Sequence, residues 1–226
     1  AGDGGEAFRL FVERSDGKVV QYLPELLEAF LDEVIEERPS ALVLSGDITM
    51  NGERLNHEEL AARLKRVQDA GIQVLVIPGN HDINNHDASV YYGARKEPAP
   101  YIDGPEFHEI YHEYGYDQAL SRDDSSLSYV YVLDDRNWLL MLDSCQYEPD
   151  NKVEGRLKDS TMAWADEQLA RAKEEGVFVI PIAHHNLLAQ SRMYTTQCAM
   201  DNNSEVIDLL QKYRLPLFFS GHLHVQ

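Results

Sequence analysis

An α/β fold with a mixed sheet system is what this sequence predicts, and three observations predict it. Segments of helical period alternate with short apolar runs. Those runs are almost continuously apolar, as in strands covered on both faces. One pair of runs is joined closely enough to form an antiparallel hairpin. With 226 residues, 43% of them hydrophobic, the chain suits a single domain over 1–226.

The first helix is expected over Pro24–Glu37, where Leu26, Leu27, Phe30, Leu31 and Val34 recur at helical spacing, and it feeds a strand at Ala41–Leu44. His57–Ala70 then places Leu60, Leu64 and Val67 on one face, with Asn56 as its cap, His57 in solvent and Gly71 as its end, ahead of a strand at Gln73–Ile77. Ile83–Gly104 gathers Asn, Asp, Gly and Pro without periodicity and is expected to be a long surface loop. Leu127–Leu133 and Asn137–Leu142 form the expected hairpin around Asp134, Asp135 and Arg136. Thr161–Glu174, ended by Gly176, is a helix before the strand Val177–Ile182. Ser204–Tyr213 is the last helix and Leu215–Phe219 the last strand.

The 39 acidic and 20 basic residues leave a formal charge of −19, which argues against a surface for long nucleic acid. An acidic protein that handles phosphate esters needs a local positive charge, and bound metal ions supply one. No apolar run approaches the ~18 residues of a membrane span, and AGDGGEAF lacks the regions of a signal peptide. Cytoplasmic and exported locations both stay open, as does the oligomeric state. Cys145 and Cys198 are read as thiols without metal or redox spacing.

Chemistry gathers at four strand ends: ALVLSGD, QVLVIPGNHD, VFVIPIAHH and LPLFFSGHLH. Gly-Asp and Gly-Asn pairs are ordinary turn formers, and a lone strand-end His is commonly a satisfied polar residue. Four such endings in one chain point instead to convergence outside the carboxyl ends of one sheet. Asp47, with two carboxylate oxygens, suits a bridge between ions about 3.5–4 Å apart. Asn80 adds a neutral oxygen, and His184, His222 and His224 complete a mixed nitrogen and oxygen set suited to manganese, iron or zinc. Adjacent His184 and His185 point apart in extended backbone, so one of them is expected to support rather than bind. Asp82 either orients the neighbouring imidazole or caps a turn, and Asp143 is expected to be a turn residue. Ser45 and Ser220 have no partner base in the sequence for nucleophilic catalysis.

GDITMNG, GNHD and GHLH, with His184 of AHH between them, resemble the ordered motifs of calcineurin-like metallophosphoesterases, and SLSYVYVL through LLMLDS is most similar to the bacterial branch that includes class III cyclic-nucleotide phosphodiesterases. The resemblance implies a four-layer αββα β-sandwich, two mixed sheets flanked by helices. It implies a binuclear centre of Mn2+, Fe2+/Fe3+ or Zn2+, with Asp47 bridging, Asn80, His184 and His222 on one ion and His224 on the other. His81 becomes the catalytic histidine that does not bind metal, with Asp82 and His185 in support. The implied activity is phosphoester hydrolysis by water activated between the ions, on a small phosphodiester such as a cyclic nucleotide. The alternatives are a phosphomonoesterase, a nucleotide pyrophosphatase, or a metal-binding relative that hydrolyses nothing. The family's initial Asp-x-His strand and its terminal strands have no counterpart in 1–226, Asp3 of AGDGG being no substitute, so the sequence is expected to be clipped at both ends.

Overall fold

The computed structural model describes residues 5–14, 19–189 and 199–223; Asp3, Cys198 and His224 lie outside them. The described elements run α1 (Glu6–Glu13), α2 (Leu23–Glu37), β1 (Ala41–Leu44), α3 (Arg54–Asp69), β2 (Gln73–Val76), β3 (Ser89–Tyr92), β4 (Arg95–Pro98), α4 (Gly104–Tyr111), β5 (Ser121–Arg122), β6 (Tyr129–Asp134), β7 (Asn137–Leu142), α5 (Asp159–Glu175), β8 (Phe178–Ala183) and α6 (Asn203–Lys212). No helix among them is long and apolar enough to cross a membrane.

Four layers follow from side-chain alternation. On β6 and β7, Tyr129, Tyr131, Leu139 and Met141 point into one core, while Val130, Trp138, Leu140 and Leu142 point into another. The first core is shared with β2 and with Leu31, Val34, Leu60, Leu64 and Val67 of α2 and α3. The second is closed by Ala165, Leu169 and Ala172 of α5 and by Val206 and Leu210 of α6. Two sheets thus lie face to face with helices outside each, as expected. The larger sheet is mixed, in the order β5-β6-β7-β8, with β7 and β8 parallel; its partner, among the described residues, is the parallel pair β1-β2 rather than a mixed sheet.

Several expectations need correction. The long loop over Ile83–Gly104 contains an antiparallel hairpin, β3 and β4, turning at Gly93, and Phe11 of the unforeseen helix α1 stacks on its Tyr91 with ring centroids 5.0 Å apart. Its strands are only four residues each and half exposed, so apolar alternation was too short to register. Helix α3 begins at Arg54, three residues before the expected start, so Asn56 lies inside it and His57 turns inward to full burial. Leu215–Phe219 makes one parallel bridge, Phe219 to Ile182, in place of a strand; Pro216 has no N–H to extend the ladder. Asp143 is buried and accepts hydrogen bonds from Leu127 N, Cys145 N and the Tyr147 hydroxyl, which makes it a structural anchor rather than a simple turn residue.

Candidate metal centre

Each strand end reaches the site through a backbone shape that its sequence permits. After β1, Gly46 takes φ +98 and Asp47 φ 52, a left-handed pair that swings the carboxylate back over the sheet edge. Gly79, after β2, packs backbone to backbone against this turn; a Cβ there would sit 2.1 Å from Asp47 N and 2.3 Å from its Oδ1. Beyond β8, Gly221 N donates to His184 O at 3.0 Å, and His222 adopts φ 73. Three separated segments are thereby brought to one point.

That point is His184 Nε2. It lies 3.1 Å from Asn80 Oδ1, 3.3 Å from Asp47 Oδ2 and 3.2 Å from His222 Nδ1. His184 Nδ1 is 2.9 Å from Ser45 O, a carbonyl that only accepts, so this nitrogen carries the proton in the neutral ring. Its Nε2 then turns a lone pair toward the oxygens of Asn80 and Asp47. Such a crowd of acceptors repels itself unless a positive charge sits among it, and an imidazole that donates its far N–H to a backbone carbonyl is oriented as metal-binding histidines are. The donor set therefore fits a cation, and without one a proton takes that place. Burial opposes charging His184, yet the hydrogen bond and charge of Asp47, with Ser45 O, raise its pKa. Burial likewise works against the Asp47 charge, but the His184 bond and charge, with the His81 N–H, hold its pKa down to about 2.

His185 stands against this group, its ring centroid 4.9 Å from that of His184 and 4.6 Å from that of His222, with candidate ligand atoms of all three within 4.8 Å of one another. Both of its nitrogens are already engaged, Nε2 donating to Val153 O at 3.0 Å and Nδ1 meeting Ser144 Oγ at 2.8 Å. Burial first, then the charges of His184 and His222, press its pKa down to about 3. Its ring is neutral with both nitrogens taken, and Gly155 leaves it room, since a Cβ there would fall 2.2 Å from its ring.

Among the described residues no hydrogen bond joins Asp82 to the His81 ring. Its carboxylate accepts from Gly79 N at 2.8 Å, Ile48 N at 3.2 Å, Thr49 N at 2.9 Å and Thr49 Oγ1 at 2.7 Å, binding the two ligand-bearing loops together. Burial pushes its pKa up, against the pull of His57. His81 donates its backbone N–H to Asp47 Oδ1 at 3.0 Å, and its ring Nδ1 lies 3.4 Å from Asn51 Oδ1. Asn51, Thr49 and the Ser45 carbonyl were missed in the sequence; only the GDITMNG spacing hinted at the first two.

Fold and donor set together define an α/β sandwich protein whose clustered side chains at one sheet edge fit a cation. A family model described as Calcineurin-like phosphoesterase matches residues 20–226, and the chain belongs to that family, whose centre holds two metals. The Glycerophosphodiester phosphodiesterase GpdQ of Enterobacter lignolyticus is 27% identical over 191 residues, covering 84% of this chain; the chain spans 58% of that relative's length. A Probable cyclic nucleotide phosphodiesterase of Ruthia magnifica is 22% identical over 199 residues, 88% of this chain and 68% of its own. Among solved structures, a dimetal phosphatase of Danio rerio superposes with a TM-score of 0.61 at 15% identity, over 88% of this chain and 71% of that one, which shows a common fold.

Proposed function

We propose that this chain is the catalytic part of a metal-dependent phosphoester hydrolase acting on small phosphodiesters. The observation that carries the reading is the meeting of Asp47, Asn80 and His222 around His184 Nε2, all within 3.3 Å. In this reading Asp47, Asn80, His184, His222 and His224 would hold the two ions, with Asp47 as the ligand they would share. When bound, the cations supply Lewis acidity, lowering the pKa of water toward ~7 and offsetting phosphoryl charge.

The chain's own residues position, exclude and transfer. The Ser45 carbonyl fixes the His184 ring through Nδ1. Buried His185 keeps water from the far side of the cluster. In this reading the half-buried His81 gives a proton to the departing alkoxide or stabilises charge beside it, with Asn51 Oδ1 3.4 Å from its ring. The diester preference is supported by the two bacterial relatives, both described as phosphodiesterases.

The test is a manganese-supplemented assay comparing bis-p-nitrophenyl phosphate, p-nitrophenyl phosphate and cyclic AMP, with metal content measured alongside. Faster turnover of diesters is expected, with His81→Ala lowering kcat by about 10²–10⁴ at unchanged metal content. Preference for the monoester would sink the diester reading, and wild-type rates in His81→Ala would remove that residue's role. Metal bound without turnover of any ester would leave a metal-binding protein only.

A further inference from the structure

A cleft of about 370 Å³ opens beside the start of α4 and the loop before β6, lined by residues with no part in the metal cluster. At its wall stands Tyr116, 3% exposed, whose hydroxyl has no hydrogen-bond partner. A buried hydroxyl left in this state is unfavourable, and an acceptor brought into the cleft would relieve it. Burial, more than any neighbour, raises the Tyr116 pKa, so the hydroxyl keeps its proton and offers it as a donor.

The donors beside it are cationic. Arg122 places NH1 2.9 Å from His108 Nε2, and among the described residues no carboxylate pairs with it. His108 must accept in that contact; burial, then the Arg122 charge, lower its pKa and keep it neutral. Lys158, also lining the cleft, donates to Ser125 O at 2.5 Å and has ammonium hydrogens to spare. Of the nearby acids, Asp123 already accepts from Ser125, Ser126 and Thr161, while Asp124 and Glu148 stand exposed at the rim.

We propose that this cleft is an oxyanion-binding site distinct from the metal cluster, in which Arg122 and the Tyr116 hydroxyl hold the oxygens of a phosphate or carboxylate group, with Lys158 alongside. Within a chain of formal charge −19, a guanidinium with no carboxylate partner among the described residues, lining the same cleft as an orphan hydroxyl, is a local exception that a bound anion resolves. The site is joined to the ligand loops by one segment: Tyr147, which lines the cleft, accepts from Asn84 Nδ2 at 2.9 Å through its carbonyl, and Asn151 Nδ2 donates to Asn80 O at 2.8 Å.

The full chain, treated with chelator so that the cluster binds no ion, is titrated calorimetrically with inorganic phosphate and separately with malonate. Saturable binding of at least one is expected, and which one binds separates a phosphoryl from a carboxylate source. Arg122→Gln, an exposed position, should weaken it about tenfold and Tyr116→Phe about threefold, while His222→Ala leaves it unchanged. Failure of both anions to bind overturns the proposal. Wild-type affinity in Arg122→Gln and Tyr116→Phe, or loss in His222→Ala alone, overturns it as well.

Discussion

At the scale of single residues, His57 makes a prediction that the cluster does not. It is wholly buried in α3, with Nε2 2.9 Å from Asp82 O and Nδ1 2.9 Å from the Tyr111 hydroxyl. Burial, outweighing the pull of Asp82, lowers its pKa from 6.5. The sign follows: the unfolded chain takes up a proton near that pH while the folded one resists it, so the contribution is full above pH 6.5 and is lost as pH falls below. Urea unfolding of wild type should weaken as pH drops from about 7 to about 5, and His57→Gln should show a shallower slope; equal slopes would refute it. The ligand candidates were legible because residue type and strand-end position coincide. The inward turn of His57 was not, because Asn56 offered a false cap and nothing local marks a polar residue whose partners are Tyr111 and Asp82.

At the level of elements, the turns after β1 and β2 pack too closely to admit a further side-chain atom at Gly79. An added methyl at Gly79 would meet Asp47 N and Oδ1 at 2.1 and 2.3 Å, contacts with backbone and a carboxylate that have nowhere to go. Gly79→Ala should lower stability by about 1–3 kcal/mol and should lose metal affinity with it; a denaturation midpoint and metal content matching wild type would contradict this. The helices and the strands of the four-stranded sheet were readable because they are long or uniformly apolar. The hairpin over Ser89–Pro98 was hidden because its support comes from the rings of α1, a contact between distant segments. The last apolar run pairs through a single bridge, since Pro216 interrupts the donors it would need.

For the whole molecule, a cation held among the four atoms around His184 would make folding and binding one equilibrium. Manganese at about 100 times its Kd should stabilise the chain by about 2.7 kcal/mol, a rise in Tm of about 5–10 °C. Chelator should reverse the shift and His184→Ala should abolish it; a metal-insensitive Tm in wild type would count against the cluster. The four layers were foreseeable through family resemblance, whereas the parallel two-stranded partner sheet depends on strand pairing that no single segment announces. The hydrogen bond from His184 to Ser45 joins positions 139 apart in the chain. A contact closing so long a loop is expected to form after the nearby pairings have condensed, completing the cluster late in folding. Manganese should accordingly leave the refolding rate almost untouched and slow the escape from the native state, acting as a latch thrown once the door is shut.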